Sequence, residues 1–327
     1  MSSRDEAFHP GVKTVRGVRW PNFFVAGVPK AGTTSLHSYL AQHPQIFMSP
    51  VKEPMFFGAA DLLSPPFRQQ FLDYMARDPV QLREFLEDTE SGRGRRFALH
   101  PDAYTRLFDG VENETAIGEA SIDYFWLPSA AQAIRERLPE ARLIFVLRNP
   151  VEKLFSSFLV ARRVDPTLAF RPWFVEATRP GSRFWPLSDS ARYATHLERF
   201  LALFPREHIR VYLFDAYRAD PRATVRDICA FLGVDPDHEI DFTQRRNEGV
   251  VPRAAGLHRL RRRLFGAWAP TRGVPEPARG VLRRLYYRDK GGAALSPEER
   301  GTVVEYYRDE MTRTERLLDC DLSRWRE

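Results

Sequence analysis

Residues 27–36, GVPKAGTTSL, leave few folds open to this chain. They follow residues 22–26, NFFVA, an apolar run that predicts a buried strand, and they lead into a helix predicted at residues 32–42. A glycine loop between a strand and a helix brings several backbone N–H groups and the positive end of the helix dipole to one point. The segment therefore predicts an α/β fold with an anion-binding site in this loop.

The spacing of the two loop glycines is that of a P-loop, but the lysine is displaced. Gly27 and Gly32 lie five positions apart, and Thr34 takes the place of the P-loop hydroxyl. Thr33 stands where a P-loop carries its lysine, and the loop's own lysine is Lys30. The alternative is an ordinary glycine turn without a ligand. The candidate anion-binding residues are Lys30, Ala31, Gly32, Thr33, Thr34 and Ser35.

A second junction between a strand and a helix begins at residues 142–147, RLIFVL, with Arg148 at the end of the predicted strand. In an open α/β sheet this position faces the ligand crevice, where a guanidinium offers paired donors to a phosphate. Asn149 and Glu152 predict a capped helix, on which Ser156 lies. A magnesium-dependent NTPase needs an acidic residue at such a strand end, so Arg148 favours a metal-free site. The alternative is a surface arginine.

Strands and helices alternate along the rest of the chain, which predicts an α/β fold with a parallel sheet. A third strand is predicted at residues 209–214, and residues 164–188, rich in Pro and Arg, are predicted to form a loop. We expect one domain over residues 20–327, with a P-loop-like central parallel sheet flanked by helices, after a flexible tail at residues 1–19. Further helices are predicted at residues 67–76, 80–88, 102–108, 191–204, 221–232 and 297–318.

Composition excludes several classes of protein. The 327 residues are 43% hydrophobic and 28% charged, which predicts a packed globule. No apolar run approaches the roughly 20 residues of a membrane helix, and the first twenty residues lack the apolar core of a signal peptide, so we expect a cytoplasmic protein. Cys229 and Cys320 are expected to be reduced thiols. A net charge of +6 suits anionic ligands but is too small to indicate nucleic acid.

Two of these motifs together resemble a known family. Residues 29–36, PKAGTTSL, are similar to the loop with which sulfotransferases bind the 5′-phosphosulfate of 3′-phosphoadenosine 5′-phosphosulfate (PAPS). Residues 142–158 resemble the 3′-phosphate-binding element of the same family, and segments within residues 190–233 and 295–325 resemble its later part. The resemblance implies a PAPS-dependent sulfotransferase that uses no metal.

The same resemblance implies roles for individual residues on the donor side. Lys30 would stabilise the charge that develops on the leaving phosphate, and Arg148 and Ser156 would hold the 3′-phosphate. The family often places a basic loop over the 3′-phosphate, which makes Arg253, within the basic residues 245–263, a further candidate. The alternative for this segment is a solvated face of a helix.

Residues 43–57, HPQIFMSPVKEPMFF, resemble a segment of the heparan-sulfate type of sulfotransferase and its bacterial relatives. The resemblance implies that Glu53 is the general base, with Lys52 neutralising the sulfuryl oxygens or holding Glu53. Met55 departs from the histidine that the glycan enzymes often carry there. If the base is a histidine instead, the candidates are His43 and His100, with His37 and His196 behind them.

Residues 118–125, GEASIDYF, resemble the family's Glu-Lys-Ser/Thr-Pro-x-Tyr segment. Ala120 replaces the lysine and Ile122 replaces the proline, so an acidic glycan is not indicated as the substrate. The remaining candidates for the acceptor pocket are Glu119, Ser121 and Tyr124, for which the alternative is helix capping and core packing.

The acceptor is left open between a carbohydrate, a lipid and another small molecule, since no residue distinguishes them. Residues 257–268, LHRLRRRLFGAW, give a weak indication of contact with a membrane surface. A P-loop kinase or NTPase is the alternative enzyme, and a non-catalytic nucleotide-binding protein is a third hypothesis. No sequence feature indicates an oligomeric state.

Overall fold

The computed structural model describes residues 19–75, 82–83, 85–87, 97–165, 167–243, 250–252, 287–289 and 294–327. Its main sheet has five parallel strands in the order β2–β3–β1–β4–β5, and a separate antiparallel pair joins β6 to β7. The strands are β1 (Phe23–Gly27), β2 (Ile46–Met48), β3 (Ala116–Glu119), β4 (Arg142–Leu147), β5 (Ile209–Leu213), β6 (Val250–Pro252) and β7 (Tyr287–Asp289).

Helices cover the main sheet, which confirms the predicted α/β fold. The α-helices are α1 (Thr33–Leu40), α2 (Ala59–Leu63), α3 (Pro65–Met75), α4 (Pro101–Thr105), α5 (Ala130–Arg137), α6 (Pro150–Val164), α7 (Phe170–Thr178), α8 (Trp185–Asp189), α9 (Tyr193–Leu203), α10 (Phe214–Ala219), α11 (Pro221–Leu232) and α12 (Pro297–Leu318). Short 3₁₀ helices lie at Phe56–Gly58, Arg106–Phe108, Ile122–Phe125, Arg206–His208 and Ser323–Trp325.

The strand order explains where a ligand site belongs. From β1 the chain passes to β2 and β3 on one side of the sheet and then to β4 and β5 on the other side. Such a reversal opens a crevice at the carboxyl ends of the central strands. The loops that follow β1 and β4 therefore meet at one edge of the sheet, and the loop that follows β3 lies beside them.

Close packing holds β3 against β1. A Cβ atom at Gly118 would lie 2.1 Å from the ring of Phe23, so only glycine allows the two strands to pair here. All five residues of β1 are buried, as expected of a strand that is covered on both faces. On the opposite face of β1, Phe24 makes edge contacts with Phe57 and Tyr124, which tie the segments after β2 and β3 to the core.

Most predicted elements are confirmed, and the bounds of β4, α11 and α12 agree with the prediction. The prediction of a loop at residues 164–188 is wrong, because this range contains α7 and all but the last residue of α8. In α7 the buried side chains of Phe170, Trp173, Phe174 and Ala177 follow helical spacing, and the prolines of this stretch hid that pattern. The short strands β2 and β3 were not predicted, and the helix predicted at residues 80–88 lies partly outside the described residues.

Candidate active site

The loop between β1 and α1 has the backbone of an anion-binding turn. Gly32 is the N-cap of α1 and, having no side chain, makes no capping hydrogen bond to the first turn. The first turn of α1 also lacks an acidic residue. Its uncapped N–H groups and the positive end of the helix dipole therefore favour an anion at Thr33 and Thr34.

Gly32 is required by both its conformation and its surroundings. Its φ of +79° lies in the left-handed region, and a Cβ atom would lie 2.9 Å from the Tyr217 ring and 3.1 Å from the Phe214 ring. Both aromatic residues belong to α10, which follows β5. The loop thus packs closely against α10, and its shape depends on the missing side chain.

Arg148 follows β4 and reaches across to this loop. Its Nη1 donates a 2.9 Å hydrogen bond to the backbone oxygen of Lys30, and its guanidinium lies 4.9 Å from the centre of the Phe214 ring. The Tyr193 hydroxyl donates a 2.6 Å bond to the Arg148 carbonyl. Burial lowers the pKa of Arg148, and the carboxylate of Glu152 opposes that shift. The two predicted junctions are therefore in direct contact.

The helix after Arg148 has one of the two capping contacts that the sequence predicted. The Asn149 side chain accepts a 2.9 Å bond from the N–H of Val151, which confirms the N-cap. Glu152 instead accepts a 3.0 Å bond from Arg300 of α12. Ser156 lies on the same helix and is 6% exposed.

Lys52 and Glu53 lie in the loop that follows β2. The Lys52 Nζ donates a 2.5 Å bond to Oε1 of Glu53, and both side chains are partly exposed, at 21% and 30%. Lys30, Glu53 and Met55 are three of the four non-glycine residues with positive φ among those the structure describes. Left-handed backbone costs such residues about 1–2 kcal/mol each, and strain of this kind collects at functional sites.

The segment after β3 supports this loop from behind. The N–H of Glu53 donates a 2.9 Å bond to the carbonyl of Ala120. The Ser121 hydroxyl accepts a 3.1 Å bond from the Met55 N–H, and the Tyr124 hydroxyl accepts a 3.2 Å bond from the Phe57 N–H. Three bonds along two neighbouring segments therefore fix the backbone that carries Glu53.

The structure places the predicted acceptor residues Glu119, Ser121 and Tyr124 behind this loop, where all three are 0% exposed. The Tyr104 hydroxyl donates a 3.3 Å bond to Oε1 of Glu119, while Oε2 is buried without a hydrogen-bond partner among the described residues. Burial raises the pKa of Glu119 to about 7, although hydrogen bonds from Tyr124, Ser121 and Tyr104 oppose the shift. The contacts of these residues are with the Glu53 loop and the core.

Asp123 interacts with the charges of the Glu53 loop, and the sequence analysis did not single it out, although it lies within the quoted segment at residues 118–125. Its Oδ1 accepts a 2.9 Å bond from Nε1 of Trp126. Burial, together with the negative charge of Glu53, raises the pKa of Asp123 to about 6, although the bond from Trp126 and the charges of Lys52 and Lys153 oppose the shift. The pKa of Asp123 thus depends on charges on both the Glu53 loop and α6.

Lys153 is the second residue that was missed. It lies on α6, is 0% exposed, and donates 2.6 Å bonds to the Leu187 carbonyl and the Ser190 hydroxyl. Burial lowers its pKa to about 7, Asp123 opposes the shift, and Lys30 reinforces it. The chain has only five lysines, at positions 13, 30, 52, 153 and 290, and that scarcity was the available signal.

Three of the four candidate histidines make structural contacts. His43 is buried, and its two ring nitrogens are hydrogen-bonded to the Asp235 carbonyl at 2.8 Å and to the Gln45 N–H at 3.1 Å. His196 is buried against Asp189 and Arg199.

The other two histidines differ from each other in exposure. His37 lies in α1 and is hydrogen-bonded to the Ser49 carbonyl at 3.1 Å. His100 is exposed and is the N-cap residue of α4. Glu53 is therefore the better candidate for a base, because its carboxylate is partly exposed and its loop follows β2 at the same edge of the sheet as the two junctions.

Some predictions lie outside the described residues. Arg253, most of the basic residues 245–263 and the segment at residues 257–268 belong to this group. In the part of the chain that the structure describes, no helix is long and apolar enough to span a membrane, and no three His, Cys, Asp or Glu side chains form a cluster that could hold a metal ion.

Comparison with known proteins agrees with this geometry. The sequence profile of the sulfotransferase family matches residues 21–239. The structure of a sulfotransferase from Alicyclobacillus acidocaldarius superposes with a TM-score of 0.68 and 30% identity, over 95% of this chain and all of that one. The chain therefore belongs to the sulfotransferase family.

Two mouse proteins illustrate the more distant similarity. The chain is 26% identical to heparan sulfate glucosamine 3-O-sulfotransferase 6 of Mus musculus over 85% of its own length and 73% of that protein. It is 25% identical to the bifunctional heparan sulfate N-deacetylase/N-sulfotransferase 4 of Mus musculus over 67% of this chain and 23% of that protein. The chain thus spans about a quarter of the bifunctional relative. These matches agree with the resemblance to the heparan-sulfate type and give no support to a kinase.

Proposed function

We propose that this sulfotransferase moves a sulfuryl group from PAPS to a hydroxyl group, with Glu53 as the general base. The contact between the Arg148 guanidinium and the Lys30 carbonyl carries the proposal, because it joins the two junctions that would grip the two ends of one nucleotide. A doubly anionic nucleotide suits a site built from a helix N-terminus and an arginine.

The donor end of the site fits the 5′-phosphosulfate of PAPS. A Cβ atom at Gly32 would crowd the loop, and the uncapped start of α1 offers backbone donors at Thr33 and Thr34. Lys30, Ala31 and Ser35 would complete this cradle, with Lys30 stabilising the charge on the departing phosphate. PAPS supplies an activated sulfuryl group whose leaving group is a phosphate.

The 3′-phosphate would lie with Arg148 and Ser156. Arg148 uses one of its five N–H groups for the Lys30 carbonyl, so the fork of the guanidinium retains donors for a phosphate. Ser156, two turns further along α6, adds a hydroxyl, and Arg253 would add a second cation from outside the described residues. Recognition of this phosphate would separate PAPS from ATP.

On the acceptor side, Glu53 would take the proton from the acceptor hydroxyl as its oxygen bonds to sulfur and the bond from sulfur to the phosphate oxygen breaks. The Lys52 Nζ, 2.5 Å from Oε1 of Glu53, would hold the carboxylate in its orientation. Glu119, Ser121 and Tyr124 would act from behind the loop on the position of this base. No metal is required in this scheme.

The acceptor is proposed to be a hydroxyl of a carbohydrate, a lipid or another small molecule. The name of the mouse 3-O-sulfotransferase relative points to a glycan. Met55, Ala120 and Ile122, however, depart from the residues that the glycan enzymes carry. A neutral acceptor is therefore favoured over an acidic one, since Ala120 removes a cation from the acceptor side.

The test is transfer of ³⁵S-labelled sulfate from PAPS into a cell extract, followed by identification of the labelled product. Lys30→Ala should abolish transfer without loss of the fold, and Glu53→Gln should reduce turnover about 100-fold or more while the affinity for adenosine 3′,5′-bisphosphate (PAP) is retained. Labelling that needs ATP and magnesium instead of PAPS would indicate a kinase. Binding of PAP without transfer to any acceptor would indicate a non-catalytic protein.

A further inference from the structure

Lys153 is a fully buried lysine to which the proposed reaction gives no role. It lies on α6 between Arg148 and Ser156, the two residues proposed to hold the 3′-phosphate. Its side chain points away from solvent and is 0% exposed. A buried ammonium is costly unless it is paired, so the position calls for a physical explanation.

Lys153 donates two hydrogen bonds, which is the number that a neutral amine can donate. Nζ donates 2.6 Å bonds to the Leu187 carbonyl and to the Ser190 hydroxyl, and that hydroxyl in turn donates a 2.6 Å bond to the Pro186 carbonyl. A neutral amine has two hydrogens, whereas an ammonium has three. Both hydrogens of the neutral form are therefore satisfied, and a third would need a further acceptor or a nearby negative charge.

The charged groups that face Lys153 come from three other elements. Asp123 belongs to the 3₁₀ helix Ile122–Phe125, Asp189 ends α8, and Lys30 lies in the glycine loop. Asp189 is itself engaged by His196 of α9, with Oδ2 3.2 Å from Nε2 of that ring. The two carboxylates favour the charged form of Lys153, and burial together with Lys30 disfavours it. Such a balance changes when another anion arrives.

We propose that Lys153 is a positioning residue that takes up a proton when an anionic nucleotide occupies the donor site, and so supplies a buried positive charge beneath it. The proposal rests on the proposed function, because it requires a doubly anionic adenine nucleotide between the two junctions. Burial lowers the pKa of Lys153 to about 7, so in the free protein its charge is lost as the pH rises through 7. Phosphate groups near Lys30 and Arg148 would raise that pKa again.

This coupling links nucleotide binding to pH. Above pH 7 the free protein must bind one proton to form the complex, so the affinity for PAP should fall by up to about tenfold per pH unit between about pH 7 and 9. Below pH 7 the amine already carries its proton, and the affinity should be nearly constant. Arginine at this position remains charged throughout and should abolish the dependence.

The experiment is isothermal titration calorimetry of the full chain with PAP at pH 8, in Tris and in HEPES, whose ionisation enthalpies differ. The wild type should take up about one proton more per PAP than Lys153→Met, since ionisation of PAP itself is common to both proteins. Lys153→Arg should bind PAP without this uptake and restore the affinity that Lys153→Met loses. Ser190→Ala, which removes one hydrogen bond but keeps the amine, is the matched control and should retain the uptake.

The possible results separate the two proposals. Equal proton uptake by the wild type and Lys153→Arg at pH 8 would overturn the role of Lys153, and this comparison remains decisive if Lys153→Met does not fold. Equal proton uptake by the wild type and a folded Lys153→Met would also overturn it, because the amine would then not be the source. A wild-type protein that does not bind PAP at all would refute the proposed function instead.

Discussion

The Arg148 guanidinium is hydrogen-bonded to the backbone carbonyl of Lys30 at 2.9 Å. This bond connects the end of β4 to the loop that follows β1, 118 residues apart in the chain. It holds the loop at a residue whose φ of +69° is unfavourable for a lysine. One side chain is thus placed to fix the loop conformation and to bind an anion.

Replacement of Arg148 by alanine should separate these two tasks. We expect the affinity for PAP to fall about 10- to 100-fold, as for the loss of a hydrogen bond to a charged group worth about 1.5–3 kcal/mol. The affinity for adenosine 5′-monophosphate, which lacks the 3′-phosphate, should fall much less. Calorimetric titration with both ligands checks this. Equal losses for the two nucleotides would leave Arg148 with support of the loop alone.

Arg210 provides the control for that variant. It is also half-buried and lies 4.6 Å from an aromatic ring, that of Phe231, but it belongs to β5 and its ring partner belongs to α11. Arg210→Ala should cost similar packing and leave the affinity for PAP unchanged.

Gly32→Ala should impair both stability and nucleotide binding. The left-handed backbone costs about 1–2 kcal/mol for alanine, and the new Cβ atom would press on the Tyr217 ring at 2.9 Å. Gly181 has nearly the same φ, +78°, but a Cβ atom there meets nothing within 4 Å. Thermal unfolding with and without PAP should show a larger loss for Gly32→Ala and a normal shift by PAP for Gly181→Ala. A normal PAP shift in both variants would contradict the cradle.

Tyr124→Phe should move the base without touching the donor. The change leaves the buried N–H of Phe57 without its 3.2 Å partner, which costs about 1–3 kcal/mol. We expect kcat to fall about tenfold or more as the Glu53 loop shifts, while the affinity for PAP is kept. Tyr212→Phe, which removes a 2.6 Å bond to Asp227, should lower stability but not kcat. Unchanged kcat in Tyr124→Phe would show that this bond does not position Glu53.

Glu119→Gln should alter the dependence of stability on pH. The folded pKa of Glu119, about 7, lies above the ordinary value of roughly 4.3, so the folded state binds more protons between these two pH values. The free energy of unfolding contributed by this group therefore decreases as the pH rises from about 4.5 to 7.

The glutamine variant lacks this titration. Its stability relative to the wild type should improve across the same interval by up to about 3 kcal/mol, from about 1.4 kcal/mol per pKa unit. Urea unfolding of both proteins at pH 5, 6 and 7 measures the difference, in which the titration of other groups cancels. A constant difference would mean that Glu119 is ionised in the folded protein throughout this range.

The sequence predicted the two junctions between strand and helix better than the surroundings of Glu53. Residues 27–36 and 142–148 combine apolar strands, glycine and capping residues, and such local signals are readable along one stretch of chain. The contact of Arg148 with Lys30 follows from the parallel sheet, because the carboxyl ends of neighbouring strands meet at one edge.

The surroundings of Glu53 depend on contacts between distant segments. Nothing in the local pattern of Ser121 or Tyr124 indicates that their hydroxyls hold the backbone of residues 55–57. Asp123 and Lys153 were missed for the same reason, since their charges matter only through neighbours far away in the chain. The helix α7 was missed because prolines near it concealed its buried face.

Because residues 53–57 are attached to the segment after β3, the position of Glu53 and the binding of the nucleotide depend on different parts of the chain. Residues 120–124 hold the loop of Glu53, the proposed base, whereas the nucleotide is proposed to bind at residues 30–35 and α6. Substitutions in residues 120–124 would move Glu53 toward an alcohol of different shape, while the residues proposed to bind the sulfate donor remain unchanged. Such a fold can acquire new acceptors through substitutions at a few positions of one short segment.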